Sequence, residues 1–230
     1  AKGGGIWWSY LLTIAMTLVG TFLGLSIIAM TGYALQRKDF PFRNVISFYV
    51  YFYSLFSAVL APYYLLMTNT YHLMDSYFAV LLPLLMSPWL IILMKNFVKA
   101  IPHEITESGK IDGAGDMKIF TALILPMLKP ALATIGLFLA LGYWNEWYQS
   151  SLFLSSRVAV KPLQYTLYEI VNKTDALRNS VAGQFITLAD IPTESVKMAN
   201  AVLATGPIIF LYPFVQRYFI SGITVGAVKG

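Results

Sequence analysis

Five stretches of this chain, 8–35, 45–67, 76–94, 119–141 and 196–219, stay apolar for about the 20 residues that a helix needs to cross a bilayer. No other feature limits the fold as tightly. The chain is 57% hydrophobic and 12% charged, where a soluble domain carries about 25% charged residues, and its mean hydropathy is +0.65. A soluble fold of this length has no use for so much apolar surface, so the solvent implied is lipid. Pro62, Pro83, Pro88, Pro126, Pro130, Pro207 and Pro213 fall inside the windows. In water they would argue against helices. In a membrane bundle, neighbouring helices satisfy the freed carbonyls, and kinks are expected. The fold class read from this pattern is an all-α membrane bundle.

Positive charge gives the orientation. Loop 36–43 carries Arg37, Lys38 and Arg43, and loop 95–118 carries Lys95, Lys99, Lys110 and Lys118. Loop 68–75 carries neither lysine nor arginine. Loop 95–118 and the tail with Arg217 and Lys229 are therefore expected in the cytoplasm. The segment 143–195 is expected outside, where acids such as Glu146, Glu169 and Asp175 balance its basic residues. Five spans with an inside C-terminus put residue 1 outside, and the stretch that begins Ala1-Lys2-Gly3 shows no signal-peptide pattern. The expectation is a further helix before residue 1, six spans in the complete chain; a genuine five-helix core is the alternative.

Several chemistries are excluded. There is no cysteine, and the two histidines, His72 and His103, stand apart, so no metal site or thiol nucleophile is expected. The net charge of +5 suits loops facing anionic lipid. No basic stripe with interleaved aromatics points to nucleic acid.

The stretch 101–130, IPHEITESGKIDGAGDMKIFTALILPMLKP, begins with a polar island between apolar flanks. Pro102 suits the first turn of a helix. Glu104 and Glu107 follow near the positive end of the helix dipole. Ile101, Ile105, Ser108 and Asp112 share one face by three- and four-residue spacing. Gly109 inside the helix costs about 1 kcal/mol relative to alanine, so something, such as the close approach of another protein surface, should require its missing side chain. Gly113 can take the left-handed conformation that stops a helix. A helix over 102–112 is predicted.

Glu107, Ser108, Gly109, Gly113, Leu123, Leu125 and Pro126 stand at the spacing of Glu-Ala-Ala, three residues, Gly, nine residues, Ile, one residue, Leu-Pro. This resembles the EAA loop of permease subunits of ATP-driven, binding-protein-dependent importers, the ABC importers. Both alanines are replaced by small residues and the isoleucine by Leu123. Ile101-Pro102, Ile111-Asp112-Gly113-Ala114, Phe120, Lys129-Pro130 and the glycine-rich end 206–230 resemble the carbohydrate branch, the maltose-permease-like type and its lipoprotein/polysaccharide-importer subfamily. The resemblance implies a type I ABC importer transmembrane bundle. It implies that 102–112 is a coupling helix docking in a separate ATPase, through Glu104, Ile105, Glu107, Ser108, Gly109, Asp112 and Gly113. It also implies a second homologous permease, two ATPase subunits, an extracytoplasmic solute-binding protein and a carbohydrate substrate, an oligosaccharide. This chain has no G-x-x-x-x-G-K-[ST] phosphate loop, so ATP and magnesium are expected on the partner ATPases and no cofactor on this chain.

Tyr143-Trp144-Asn145-Glu146-Trp147-Tyr148-Gln149 lies at the outer end of the fourth window. Aromatic faces stack on sugar C–H surfaces, and amides bind hydroxyls. Trp144, Asn145, Trp147 and Gln149, with Tyr53 of the second window, are the candidate substrate-passage residues. On a continuous helix Trp144 and Trp147 would share one broad face. The competing reading is the aromatic belt of any membrane interface. Gly20 and Gly24, with Gly32 further on, have the small-residue spacing that lets helices approach, within this bundle or against a partner. An ion-coupled secondary transporter would want buried ionisable groups, a membrane enzyme clustered intramembrane acids, and neither pattern is visible. A non-sugar solute stays open.

Overall fold

The computed structural model describes residues 5–56, 59–179, 194–206 and 209, and every regular element among them is helical. In chain order these are α1 (Ile6–Gln36), α2 (Arg43–Leu55), α3 (Leu60–Leu65), α4 (Tyr77–Leu85), α5 (Pro88–Lys99) and α6 (His103–Ile111). Then come α7 (Asp116–Lys118), α8 (Leu125–Met127), α9 (Lys129–Trp144), α10 (Tyr148–Phe153), α11 (Leu163–Asn179) and α12 (194–206). Single π-helical turns cover Leu66–Thr70 and Ile119–Ile124. Among the described residues, Ile6–Gln36 and Tyr77–Lys99 are long and apolar enough to cross a membrane, and up to four spans result if each bent helix pair counts as one.

α1 is the axis of the bundle. Its 31 residues extend about 46 Å, more than a hydrocarbon core of about 30 Å. Its buried stripe runs Ser9, Thr13, Met16, Gly20, Gly24, Ile28 and Gly32 at three- and four-residue steps, and all but Met16 and Ile28 are small or polar. Its outward face carries Trp7, Trp8, Leu11, Leu18 and Phe22, all exposed. That distribution is inside-out for water and apt for lipid. A methyl group at Gly20 would sit 2.4 Å from the Tyr143 ring, and one at Gly32 would sit 2.6 Å from Met94. The small-residue stripe thus serves this chain's own bundle, against α9 and α5. Thr13 Oγ1 accepts from the Leu163 amide at 2.8 Å, and Ser9 meets Thr166 at 3.2 Å, which fixes the start of α11.

The main core joins α1, α5 and the π-turn-to-α9 stretch through Ile28, Met94, Ile119, Ile124 and Ile135. Windows 45–67, 76–94 and 119–141 are each interrupted, and window 196–219 lies partly outside the described residues. The stretch 76–94 is interrupted between α4 and α5, where Met86 and Ser87 leave helical angles and Pro88 restarts the chain. Within 119–141 the chain turns at Leu128, between Pro126 and Pro130, and Asp116–Met127 lies at 83° to Lys129–Phe153. Window 45–67 holds the separate helices α2 and α3, with Pro62 inside the second. The tail 210–230, with Arg217 and Lys229, lies outside the described residues.

Candidate functional site

The polar island folds as a helix and a tight turn. Pro102 is the residue before α6, Glu104 lies in the first turn, and the sole buried position is Gly109. A methyl group at Gly109 would meet Leu123 at 3.0 Å and Ile119 at 3.1 Å. The missing side chain therefore lets α6 lie on its own following helix. Ile101 and Ile105 are half-buried and pack on the main core. The inner face is consequently Ile101, Ile105 and Gly109, one turn apart. Ser108 and Asp112, assigned by spacing to the Ile105 face, point instead to solvent. So do Glu104 and Glu107, and His103 Nδ1 lies 2.9 Å from Glu107 Oε1.

Gly113 takes φ +75°, the left-handed region that glycine enters without a Cβ clash. The Ala114 amide donates to the Gly109 carbonyl at 2.9 Å, and the Gly113 amide to Lys110 at 3.0 Å. These two bonds form a Schellman cap and satisfy the last carbonyls of α6. Ile111 and Met117 flank this turn and are 86% and 65% exposed. Sequence reasoning passed over both; two large apolar side chains inside an otherwise polar loop were the signal.

An ionic clamp ties the hairpin to the end of α1. Arg37 Nε donates to Asp39 at 2.8 Å, and Arg37 also reaches Asp116 at 2.8 Å. Lys110 Nζ donates to the same Asp39 at 2.7 Å. The hydrogen bonds from Arg37, then from Lys110, hold the Asp39 carboxyl well below the usual carboxylate range. Loop 36–43, α6 and α7 thereby share one network.

At the opposite end the aromatic cluster is divided. α9 ends at Trp144, and Trp147 precedes α10, so the two do not share a continuous helix face. Trp144 is buried and its Nε1 donates to the Ala204 carbonyl at 3.0 Å. Asn145 Nδ2 donates back to Leu141 at 3.0 Å, closing α9, and its Oδ1 accepts from Gln164 at 3.3 Å. Gln149 Oε1 accepts from the Tyr63 hydroxyl at 2.9 Å. Glu146, 8% exposed, accepts from the Ser150 hydroxyl at 2.6 Å. Trp147 stacks on Tyr168 at 4.6 Å and lines a groove of about 410 Å³ with Gln164 and Asn200. Trp144 and Asn145 thus tie the end of α9 to α12 and α11, and Gln149 ties α10 to α3.

Tyr53 lies elsewhere. It lines a recess of about 460 Å³ at the α4–α5 break, with Ser87, Trp89, Phe138 and Gly142. Trp89 and Phe138 meet edge to face at 5.3 Å. Ser87 is the eleventh residue of the Tyr77–Lys99 stretch, so the break falls at its middle.

The family model for the binding-protein-dependent transport system inner membrane component matches residues 23–225. The chain belongs to this permease family. It is 36% identical over 225 residues to the polygalacturonan/rhamnogalacturonan transport system permease protein YtcP of Bacillus subtilis (strain 168), covering 98% of this chain and 78% of that protein. It is 35% identical to Protein LplC of the same organism, over 95% of this chain and 72% of that protein. The arabinooligosaccharides transport system permease protein AraQ of Bacillus subtilis (strain 168) is 28% identical, over 100% of this chain and 76% of that protein. A solved bacterial ABC transporter involved in the import of the acidic polysaccharide alginate superimposes with a TM-score of 0.79 at 31% identity, covering 94% of this chain and 76% of that one.

In this permease the hairpin residues divide between two faces: Ile105 and Gly109 turn inward, and Glu104, Glu107, Ser108 and Asp112 turn to solvent. The passage candidates do not gather. Trp89 and Phe138 of the recess went unread because single aromatics in apolar windows look like any lipid-facing residue. The mid-window pair Pro83 and Ser87-Pro88 was the available signal, since broken backbone at membrane depth is tolerated where it faces protein or a cavity.

Proposed function

We propose that the permease is one transmembrane subunit of an ATP-driven importer that moves a carbohydrate, an oligosaccharide, across the cytoplasmic membrane by alternating access. The observation that carries this reading is the hairpin. It is a short polar helix, capped by a left-handed glycine, that projects Glu104, Glu107, Ser108 and Ile111 outward while its other face is fixed to the bundle. Such a lever needs a second polypeptide to push it. ATP and magnesium belong to two separate ATPase subunits, because this chain carries no phosphate loop. A second permease of the same family completes the passage, and an extracytoplasmic binding protein delivers the solute to the side of α10 and α11. Loops 36–43 and 95–118 face the cytoplasm in this arrangement.

The packing gives the lever its mechanics. When the ATPases close, α6 is displaced. The Gly109–Ile119–Leu123 contact passes that movement to the stretch leading into α9, and the Arg37–Asp39–Lys110 clamp passes it to α1. α1 and α9 meet at Gly20 and Tyr143, so both tilt as one body. The recess at the α4–α5 break offers the solute two aromatic rings and the Ser87 hydroxyl at mid-depth. Aromatic and hydroxyl groups there are suited to the C–H faces and hydroxyls of a sugar. The names of the relatives point to polygalacturonan, rhamnogalacturonan, arabinooligosaccharides and alginate as the first substrates to try.

The test is reconstitution with the companion permease, ATPase and binding protein. Oligosaccharides from polygalacturonan, rhamnogalacturonan, arabinan and alginate are offered in turn. ATP hydrolysis stimulated by one of them, with uptake, is the expected result. Uptake that proceeds without the ATPase would contradict the reading.

A further inference from the structure

Beside the hairpin, where α1 and α5 end and α2 begins, lies a second cleft of about 490 Å³. Its walls carry Arg37, Lys38, Arg43, Lys99 and Lys110, against two carboxylates, Asp39 and Glu104. Asp39 is taken by Arg37 and Lys110. Lys38, Arg43 and Lys99 make no ion pair among the described residues, which leaves three cations facing the single carboxylate of Glu104. His103, also on the wall, is engaged with Glu107. A second observation is independent of charge. Tyr33 lines the cleft and is 8% exposed, and its hydroxyl has no hydrogen-bond partner among the described residues. Its ring packs against Phe120, with centroids 5.2 Å apart, and the Arg37 guanidinium lies over it at 5.9 Å. A buried donor without an acceptor is costly.

The cleft therefore combines three unpaired cations, offset by the one carboxylate of Glu104, with one unsatisfied donor. We propose that it binds a phosphate group, with the headgroup of an anionic phospholipid as its source. A phosphate has three or four acceptor oxygens for Tyr33, Arg43 and the two lysines. The cleft lies at the ends of membrane-crossing helices, where basic pockets meet lipid headgroups. Its occupant touches the clamp that holds α6 to α1, so lipid composition would set how firmly the lever is held. This inference does not depend on which solute is carried.

The experiment uses the permease purified with its companion permease and ATPases in nanodiscs of phosphatidylcholine, with or without phosphatidylglycerol. Native mass measurement after mild delipidation counts the phosphatidylglycerol retained. Each cation near a lipid surface contributes roughly fivefold, so Lys38→Gln/Arg43→Gln/Lys99→Gln should bind about a hundredfold more weakly. Tyr33→Phe removes only the hydroxyl and should weaken retention several-fold. Lys38→Arg/Arg43→Lys/Lys99→Arg keeps charge and topology and should retain the lipid, which separates site loss from misfolding. A parallel arm adds inorganic phosphate to the phosphatidylcholine sample. Phosphate binding there, lost in Tyr33→Phe, would support the phosphate chemistry and move its source to solution. Equal retention of phosphatidylglycerol by the parent and Tyr33→Phe proteins, or no binding of either probe, would overturn the proposal. So would a cross-link showing an acidic surface of the ATPase seated on Lys38 and Lys99.

Discussion

The hairpin 101–118 and the cluster 143–149 are equally conspicuous in sequence, but the fold uses them in opposite ways. The hairpin turns its polar side chains outward and buries a glycine. The cluster turns Trp144 and Glu146 inward and spends Asn145 and Gln149 on hydrogen bonds between helices. The difference is one of solvent. In a water-exposed loop, a polar group is free to serve a partner. At the end of a bundle, a polar group must first satisfy buried backbone and neighbouring side chains. Conspicuous residues within the bundle are therefore poor guides to a passage, and the irregular backbone at the α4–α5 break is a better one.

The sharpest way to break this comparison is to truncate one tryptophan from each class. Trp144→Ala should cost about 3–5 kcal/mol of bundle stability, because a buried ring and its bond to Ala204 are lost together. Thermal unfolding of the purified complex should report it. Trp89→Ala, at a position 56% exposed, should leave that unfolding nearly unchanged and reduce solute-dependent uptake instead. If the two variants exchanged phenotypes, Trp144 rather than Trp89 would face the passage.

Next in size is Gly20→Val. Its Cβ alone would sit 2.4 Å from the Tyr143 ring, and overpacking of this kind costs about 1–3 kcal/mol. Tyr143 also donates to the Leu81 carbonyl at 2.9 Å, so its displacement would loosen α4 as well. Reduced yield of assembled complex is expected, with recovery when Tyr143→Ala is added. Failure of that second change to help would mean that the stripe is not packed here.

Gly113→Val places a β-branched residue at φ +75°, at a cost of roughly 1–2 kcal/mol or more. The loss should fall on coupling rather than on insertion: ATP hydrolysis should persist while uptake drops. Equal loss of both would assign the turn a merely structural role.

The glycine spacing of α1, the hairpin and the left-handed glycine were legible because each rests on local chemistry: small-residue spacing, an early proline, a late glycine. The breaks within 76–94 and 119–141 were not. Proline in a membrane helix is compatible with a kink or a full stop, and only neighbouring helices decide between them. Gly109 was read as making room for another protein surface, because spacing does not show which neighbour comes close. The structure assigns it to Ile119 and Leu123 of the same chain. The clamp from Arg37 to Asp116 spans too much sequence for any local pattern to reveal.

The smallest expected effect is that of Asp39→Asn. Its partners are partly exposed, so the loss should stay within about 1 kcal/mol. Because the folded carboxyl lies below its unfolded value, its contribution is present at neutral pH and is lost as pH falls below about 4. Unfolding of parent and variant should therefore differ slightly and evenly from pH 6 to 8 and converge in acid. A difference that changed between pH 6 and 8 would point to another titrating group in the clamp.

The central claim is that the outward face of α6 is the surface on which an ATPase acts. The chain has no cysteine, so a single introduced thiol reports without background. Ile111→Cys, at the most exposed apolar position of the hairpin, is combined with thiol cross-linking in membranes that contain the assembled complex. The account predicts a cross-link to the ATPase subunit, and protection of the thiol from soluble maleimide that disappears when the ATPase is stripped away. A thiol at Ile111 that labels freely in the assembled complex and cross-links to nothing would contradict it.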